Sequence, residues 1–152
     1  MVQDNPSEAV AFSAFLANSV NGPPMGKLRT IIYDQIETNI GSAYDRFTGS
    51  FRAPMDGIYA FTWTIAVVGG ASSAEHGEIK TELVINGEVH GNLHADTEAS
   101  YDDDSATGFV IKNLTRGDDV FIRSTATHEG YAPQGILTNG NMRWTFSGWL
   151  IK

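Results

Sequence analysis

The 152-residue chain contains no cysteine, which excludes disulfide bridges, thiol nucleophiles and thiolate metal ligands together. Basic residues are also few, because 10 Lys and Arg stand against 18 Asp and Glu for a net charge of -8. Nucleic acids and anionic membranes are bound through basic surfaces, so we expect neither as a partner. The acidic surface instead suits cations.

Long apolar runs are missing as well, so no membrane insertion is expected. Residues 1–8 have neither the basic start nor the apolar centre of a signal peptide. We interpret them as an N-terminal tail and residues 9–152 as one domain; if the protein is exported, the chain is expected to be a mature form behind an added Met. The sequence has no Gly-x-Ser-x-Gly, no His-Glu-x-x-His and no phosphate-binding glycine loop, so we do not expect an enzyme.

Short segments that alternate apolar and polar residues recur between Gly, Asn and Asp turns, as is typical of β-strands. The clearest is Tyr59 to Val68, in which one face carries only Tyr, Phe, Trp, Ile and Val. Ile79 to Ile85 ends at Asn86-Gly87, a hairpin pair, with Val89 to His94 as the returning strand. Further strands are predicted at Ala106 to Leu114, Asp119 to Ser124 and Arg143 to Ile151. So many short strands predict a sandwich or a barrel.

The first and last predicted strands, Ala9 to Leu16 and Arg143 to Ile151, are apolar on both faces. A strand of this kind must be covered on both sides. A loop of the same chain is one candidate cover, and a neighbouring subunit in a symmetric ring is the one we favour. The residues predicted at this subunit contact are Phe12, Phe15, Trp149 and Ile151.

A set of spaced residues between positions 33 and 63 resembles the signature of the complement C1q globular-head family. Its members are Tyr33, Asn39, Tyr44, Phe51, Gly57, Tyr59, Phe61 and Trp63. Tyr33 departs from the signature, which usually has Phe, and its extra hydroxyl needs a hydrogen-bond partner. The similarity also covers Val10 to Ala14, Asp104 to Gly108, the turn Leu114 to Val120 and the ending Phe146 to Leu150.

The resemblance implies an all-β, ten-stranded jelly-roll sandwich of the C1q and tumour-necrosis-factor type, with the first and last strands side by side. It also implies a homotrimer, a secreted location and no enzymatic activity. No Gly-X-Y collagen run is present, as in stalkless invertebrate members of the family.

Five carboxylates crowd the segment from Asp96 to Asp104, which we predict to be one loop between strands. Calcium takes six to eight oxygen ligands in a flexible cage, so this loop predicts a calcium site. The candidate ligands are Asp96, Asp102, Asp103 and Asp104, of which the resemblance places Asp96 and Asp104 near the apex of a trimer. A solvated acidic loop without a metal is the alternative.

The candidate ligand-binding residues are Tyr101, Tyr131, His94 and His128, which combine aromatic rings with polar groups in or near predicted loops.

Two further motifs are short. Asn113-Leu114-Thr115 is an N-glycosylation acceptor in a secreted eukaryotic protein. Arg116-Gly117-Asp118 spells an integrin-type tripeptide, although its position favours an ordinary turn.

His90 and His94 do not suit a shared zinc ion, because strand residues four apart lie roughly 13 Å from each other.

The function that we expect is a lectin for pattern recognition in innate immunity, which binds carbohydrate on microbial surfaces with help from calcium. Three sites in one trimer would add avidity to weak single contacts. Two alternatives belong to another class: an extracellular matrix or biomineralisation protein that binds calcium, and a signalling ligand like tumour necrosis factor. The globular-head signature disfavours the signalling ligand.

Overall fold

The computed structural model describes residues 9–17, 26–70, 76–126 and 142–152. These residues form ten β-strands in two five-stranded antiparallel sheets. The strands are β1 (Ala11–Phe15), β2 (Gln35–Ile40), β3 (Tyr44–Asp45), β4 (Ser50–Arg52), β5 (Gly57–Val68), β6 (Glu78–Ile85), β7 (Glu88–Asp96), β8 (Asp103–Leu114), β9 (Asp119–Ser124) and β10 (Thr145–Leu150).

The first sheet has the order β2-β1-β10-β5-β8 and the second has the order β3-β4-β9-β6-β7. The chain changes sheet repeatedly, for example between β4 and β5 and between β7 and β8, which is the connectivity of a jelly roll. The predicted all-β, ten-stranded jelly roll is therefore confirmed. The first and last strands are neighbours as expected, with Ala11 opposite Trp149.

The sandwich has two distinct ends, which orient the rest of the description. β5 begins at Gly57, where the Ile58 amide donates to the Lys152 carbonyl at 2.8 Å, and we name this end the base. β5 finishes at Val68 near the connection between β7 and β8, and we name that end the apex.

The two predicted turns have the expected backbone geometry. Asn86 and Gly87 have φ values of 51° and 85°, as a two-residue hairpin turn with left-handed residues requires. Gly117 has a φ of 92° in the turn between β8 and β9. One boundary differs more than the others, because β8 begins at Asp103 rather than at Ala106. Its pairing with β5 continues in register as far as Val68 opposite Asp103, so backbone hydrogen bonding extends the strand beyond its apolar pattern.

Aromatic rings form the centre of the core between the sheets. Phe146 lies 4.9 Å from Phe12, 6.1 Å from Tyr44 and 6.3 Å from Phe61, measured between ring centroids. Phe51 adds a stacked contact of 5.2 Å to Phe12. The predicted inner face of β5 is confirmed, because its five large side chains are all 0% or 1% exposed: Tyr59, Phe61, Trp63, Ile65 and Val67.

Two glycines of the first sheet make room for this core. A Cβ atom on Gly148 would lie 2.6 Å from Phe61 and 2.7 Å from Phe12, and one on Gly108 would lie 2.5 Å from the Trp63 indole. These positions accept only a hydrogen atom without displacing a ring. The buried indole nitrogen of Trp63 donates to the Thr81 hydroxyl at 3.1 Å, so its polar group is satisfied.

We predict that Phe146→Ala lowers the free energy of unfolding by about 3–5 kcal/mol, because it removes a ring at the junction of the aromatic contacts and leaves a cavity. Urea denaturation followed by circular dichroism measures this change. The matched control is Phe47→Ala, since Phe47 is 78% exposed and should change stability by less than about 0.5 kcal/mol. Equal losses in both variants would contradict this description of the core.

Tyr33, the departure from the family signature, is fully buried with its side chain inside the core. Its carbonyl accepts a hydrogen bond from the Tyr44 hydroxyl at 2.7 Å. Its own hydroxyl has no hydrogen-bond partner among the described residues. Burial, together with the nearby Tyr44, raises the pKa of Tyr33 well above its usual value. An unpaired buried hydroxyl costs free energy, so this position is a weak point of the core.

We predict that Tyr33→Phe raises the free energy of unfolding by about 1 kcal/mol, because it removes the unpaired hydroxyl and keeps the ring. Tyr59→Phe is the matched control with the opposite sign. The Tyr59 hydroxyl donates to the Met55 carbonyl at 2.8 Å, so its loss should cost about 1 kcal/mol. Urea denaturation of both variants tests the pair, and destabilisation by Tyr33→Phe would mean that this hydroxyl is satisfied.

Candidate functional site

The connection between β7 and β8, residues 97–102, forms a short loop at the apex, which we name the apex loop. Backbone hydrogen bonds tie both of its ends to the rest of the molecule. The Thr97 amide donates to the Gly77 carbonyl at 2.9 Å, and the Tyr101 amide donates to the Gly70 carbonyl at 2.9 Å. The Gly77 amide also donates to the Thr97 hydroxyl at 2.7 Å. These hydrogen bonds therefore fix both ends of the loop to the neighbouring backbone.

The carboxylates are arranged differently from the sequence prediction of one loop over Asp96 to Asp104. Asp96 is the last residue of β7, and Asp103 and Asp104 begin β8. The structure brings Asp96 and Asp104 together, since a carboxylate oxygen of Asp104 accepts the Asp96 amide at 3.1 Å. A carboxylate oxygen of Asp102 accepts the Glu98 amide at 3.3 Å. The acidic groups thus partly stabilise the loop itself.

Tyr101 is the most exposed aromatic side chain at the apex. It is 69% exposed and has a φ of 55°, a left-handed conformation that turns the chain towards β8. An exposed ring beside carboxylates presents an apolar surface and hydrogen-bonding groups together. Tyr131 and His128, the other predicted loop residues, lie outside the described residues.

His94 is placed on β7, on the outer face of the second sheet. Its Nε2 lies 3.2 Å from a Glu78 carboxylate oxygen, which also lies 2.9 Å from Nζ of Lys80. The hydrogen bond from Lys80 is the main cause that lowers the pKa of Glu78, and His94 adds to it against an opposing effect of burial. The sequence did not indicate Glu78 and Lys80, because only strand pairing places them beside His94.

Among the described ranges, no group of three or more His, Asp or Glu side chains is arranged to hold a metal ion. His90 instead lies 4.0 Å from Glu88 at the basal end of β7. One chain, over these ranges, does not form a complete calcium cage around Asp96 and Asp104.

The outer face of the first sheet carries a row of apolar residues in direct cross-strand register. In order across the sheet these are Ile40, Ala11, Trp149, Ala60 and Ile111. Ile40, Trp149 and Ile111 are 52%, 41% and 54% exposed. Phe109, 58% exposed, extends the row and lies 6.2 Å from Trp149 between ring centroids. We name Ile40, Trp149, Ile111 and Phe109 the apolar patch.

The same face becomes polar towards the apex. The Ser13 and Ser147 hydroxyls are 2.9 Å apart, and the Thr64 and Thr145 hydroxyls are 2.8 Å apart. These groups satisfy each other, so this half of the face is compatible with water. Phe109 lies in the same cross-strand row as Ser13 and Ser147, so the apolar patch extends from the basal part of the face to its middle.

The four residues predicted at a subunit contact fall into two groups. Trp149 and Ile151 are exposed, as a contact residue of a single chain must be. Phe15 is half-buried under the Arg143 guanidinium, which lies 4.0 Å from its ring centroid. The prediction for Phe12 is wrong, because Phe12 is 3% exposed and packs in the core of its own subunit. Strand alternation points residue 12 inwards and residue 11 outwards.

The two short motifs lie at the basal end. Asn113 is exposed on β8, opposite Ile58 and on the same face as the apolar patch. In the tripeptide, the Asp118 carboxylate accepts hydrogen bonds from Asn86 and the Thr115 amide, both at 2.8 Å. The Asn86 contact is the main cause that lowers the pKa of Asp118. This carboxylate is therefore part of the turn, as the ordinary-turn interpretation expects.

None of the described residues forms a helix long and apolar enough to cross a membrane. The two five-stranded antiparallel sheets and their connectivity define the class of protein, a two-sheet jelly-roll domain. The family model for the C1q domain matches residues 11–151, and the chain belongs to the C1q-domain family.

Relatives of known sequence agree with this assignment. The chain is 30% identical over 147 residues to complement C1q tumor necrosis factor-related protein 3 of mouse and of human. The match covers 96% of this chain and 52% of each relative, so the chain spans about half the length of these relatives. Among solved structures, the globular domain of zebrafish complement 1qA protein matches with a TM-score of 0.68. Identity there is 18% over 95% of this chain and 98% of that one, which shows the shared fold.

Proposed function

We propose that this chain is a secreted, homotrimeric recognition protein that binds carbohydrate on microbial surfaces in innate immunity. C1q-domain proteins are in general recognition or signalling proteins rather than enzymes, and they commonly form trimers. The single observation that carries the proposal is the apolar patch. It is an apolar surface in cross-strand register with a large aromatic side chain at its centre.

The apolar patch supports assembly because its residues are contiguous rather than scattered. Trp149 contacts Phe109 and stands in one row with Ile40 and Ile111. A patch of this kind on a monomer marks an interaction surface. The chain can cover it with a symmetry-related copy, and a closed ring covers every copy equally. A glycan on Asn113 would project from the same face, so glycosylation there is not part of the proposal.

We predict that static light scattering gives about three times the chain mass of 16.5 kDa for the wild-type protein. Ile111→Asp should shift the mass to that of a single chain, because a charge buried in a subunit contact is costly and Ile111 is exposed in the monomer. Val89→Asp is the matched control, since Val89 is 44% exposed on the second sheet. A wild-type monomer at micromolar concentration would contradict the proposed assembly, as would an Ile111→Asp trimer.

The apex loop supports binding of sugars. Tyr101 offers an exposed ring, and Glu98, Asp102 and Asp103, close to it in sequence, carry exposed carboxylates that can accept hydrogen bonds from sugar hydroxyls. Because the loop is anchored to Gly70 and Gly77, these groups are positioned before a ligand arrives, which lowers the entropic cost of binding. Three such loops at one apex would convert weak single contacts into useful avidity.

The proposed calcium ligands are Asp96 and Asp104, with Asp102 and Asp103 beside them. The described residues of one chain do not complete a cage, and we propose that neighbouring subunits supply further oxygen ligands in addition to water. Bound there, calcium would neutralise part of the acidic charge of the apex. We therefore expect any calcium effect to require the trimer and to be lost in Ile111→Asp.

A glycan array, run in calcium and again in chelator, tests the function. We predict binding to microbial glycans in calcium, a loss of about tenfold or more for Tyr101→Ala, and weaker binding in chelator. Phe47→Ala, an exposed aromatic away from the apex, is the control. If no glycan is bound in calcium or in chelator, the carbohydrate proposal is overturned. If glycan binding is unchanged by chelator, calcium has no part in it.

A second candidate function is supported by the names of the mouse and human relatives, which refer to tumor necrosis factor. The same trimer could serve as a signalling ligand that engages a receptor along its sides. A confirmed trimer that binds no glycan on the array would favour this candidate over carbohydrate recognition.

A further inference from the structure

A second concave surface lies at the base, at the opposite end from the apex loop. It is an open cavity of about 340 Å³ between three turns, and we name it the basal pocket. Residues 41–43 after β2, residues 52–54 at the end of β4 and residues 116–117 before β9 form its walls. Its volume falls at the lower end of the range found for small-molecule sites, about 300–1,000 Å³.

Two exposed arginines line this pocket, Arg52 and Arg116. Neither forms an ion pair within 4 Å with a carboxylate of the described residues, whereas Arg123 and Arg143 do so with Glu82 and Glu37. Only three of the ten Lys and Arg form ion pairs with the described residues, so what distinguishes Arg52 and Arg116 is that they line the same cavity. Arginine groups in this arrangement suit a planar or tetrahedral oxyanion.

The carboxylates nearest to the pocket are engaged with other donors. Asp56 accepts the backbone amide of Arg116 at 2.7 Å. Asp119 stands opposite Arg52 in the sheet, where one of its oxygens accepts the Ser50 hydroxyl at 3.4 Å. Asp118 is held in the turn by Asn86 and Thr115. Their charges weaken the local positive potential, but the guanidinium hydrogens remain available to a ligand.

We infer that the basal pocket binds an oxyanion carried by a sugar, either a carboxylate or a sulfate. This inference rests on the proposed carbohydrate function, and it adds a ligand class that the acidic apex loop would repel. Arg52 and Arg116 hold the anionic group, and the small side chains of Ala43, Ala53 and the two glycines leave space for the sugar ring. At Gly117 a Cβ atom would meet nothing within 4 Å, so the pocket is open on that side.

The test is a titration of the full chain, isotopically labelled for nuclear magnetic resonance, with sialyllactose, sulfated lactose and plain lactose. We expect at least one acidic sugar to shift the amide signals of residues 41–43 and 116–117, while plain lactose does not. A response to sialyllactose alone identifies a carboxylate ligand, and one to sulfated lactose alone identifies a sulfate. Each of Arg52→Gln and Arg116→Gln should weaken the affinity about tenfold. Added salt should weaken it further.

Arg29→Gln is the charge-matched control. Arg29 lies beside Ser124 at the apical end of β9, about 17 Å along the strand from the residue opposite Arg52. It should leave the affinity unchanged. The inference would be overturned if the acidic sugars bind at another surface, or if they bind equally to the double variant Arg52→Gln/Arg116→Gln. It would also be overturned if they do not bind at about 10 mM. If the protein still binds neutral glycans on the array in that case, the proposed carbohydrate function remains supported. The failure of this inference can therefore be distinguished from the failure of the proposed function.

Discussion

The contact of Phe146 with the other core rings is the constraint on which the rest of the molecule depends. β10 lies between β1 and β5, so the position of Phe146 fixes both neighbours of the last strand. Because side chains alternate along a strand, an inward Phe146 requires an outward Trp149. Gly148, also inward, leaves the space that Phe12 and Phe61 fill. The packing of the core therefore determines that the largest apolar side chain of the last strand faces outwards, on the surface proposed to assemble.

Much of the fold could be predicted from the sequence, since β5 alternates over its whole length and the Asn86-Gly87 turn has a specific signature. The short strands β3 and β4 could not, because two or three residues give no alternation. The sequence indicated an exposed Trp149, but it could not place Phe109 and Ile111 beside it, since their contact depends on strand register. Phe12 was assigned to the wrong surface because a strand apolar on both faces does not show which face is the core.

The candidate sites likewise include some features that the sequence predicts and others that only the fold reveals. The acidic residues between 96 and 104 were visible as a cluster, and the pairing of Asp96 with Asp104 agrees with it. Arg52 and Arg116 are separated in sequence by the four strands β5 to β8, so only the fold brings them to one pocket. The two candidate sites thus lie at opposite ends of the sandwich, the acidic apex loop at one and the pocket with Arg52 and Arg116 at the other, with the apolar patch along one side. A trimer formed through that side would present three copies of each end in parallel.

An experimental structure of the assembled protein tests the central claim most directly. We predict a three-fold axis against the first sheet, with Trp149, Ile111 and Ile40 buried between subunits and the three apex loops together at one end. A monomer, or an assembly in which Trp149 stays as exposed as in the single chain, would contradict the claim that the apolar patch is the subunit contact.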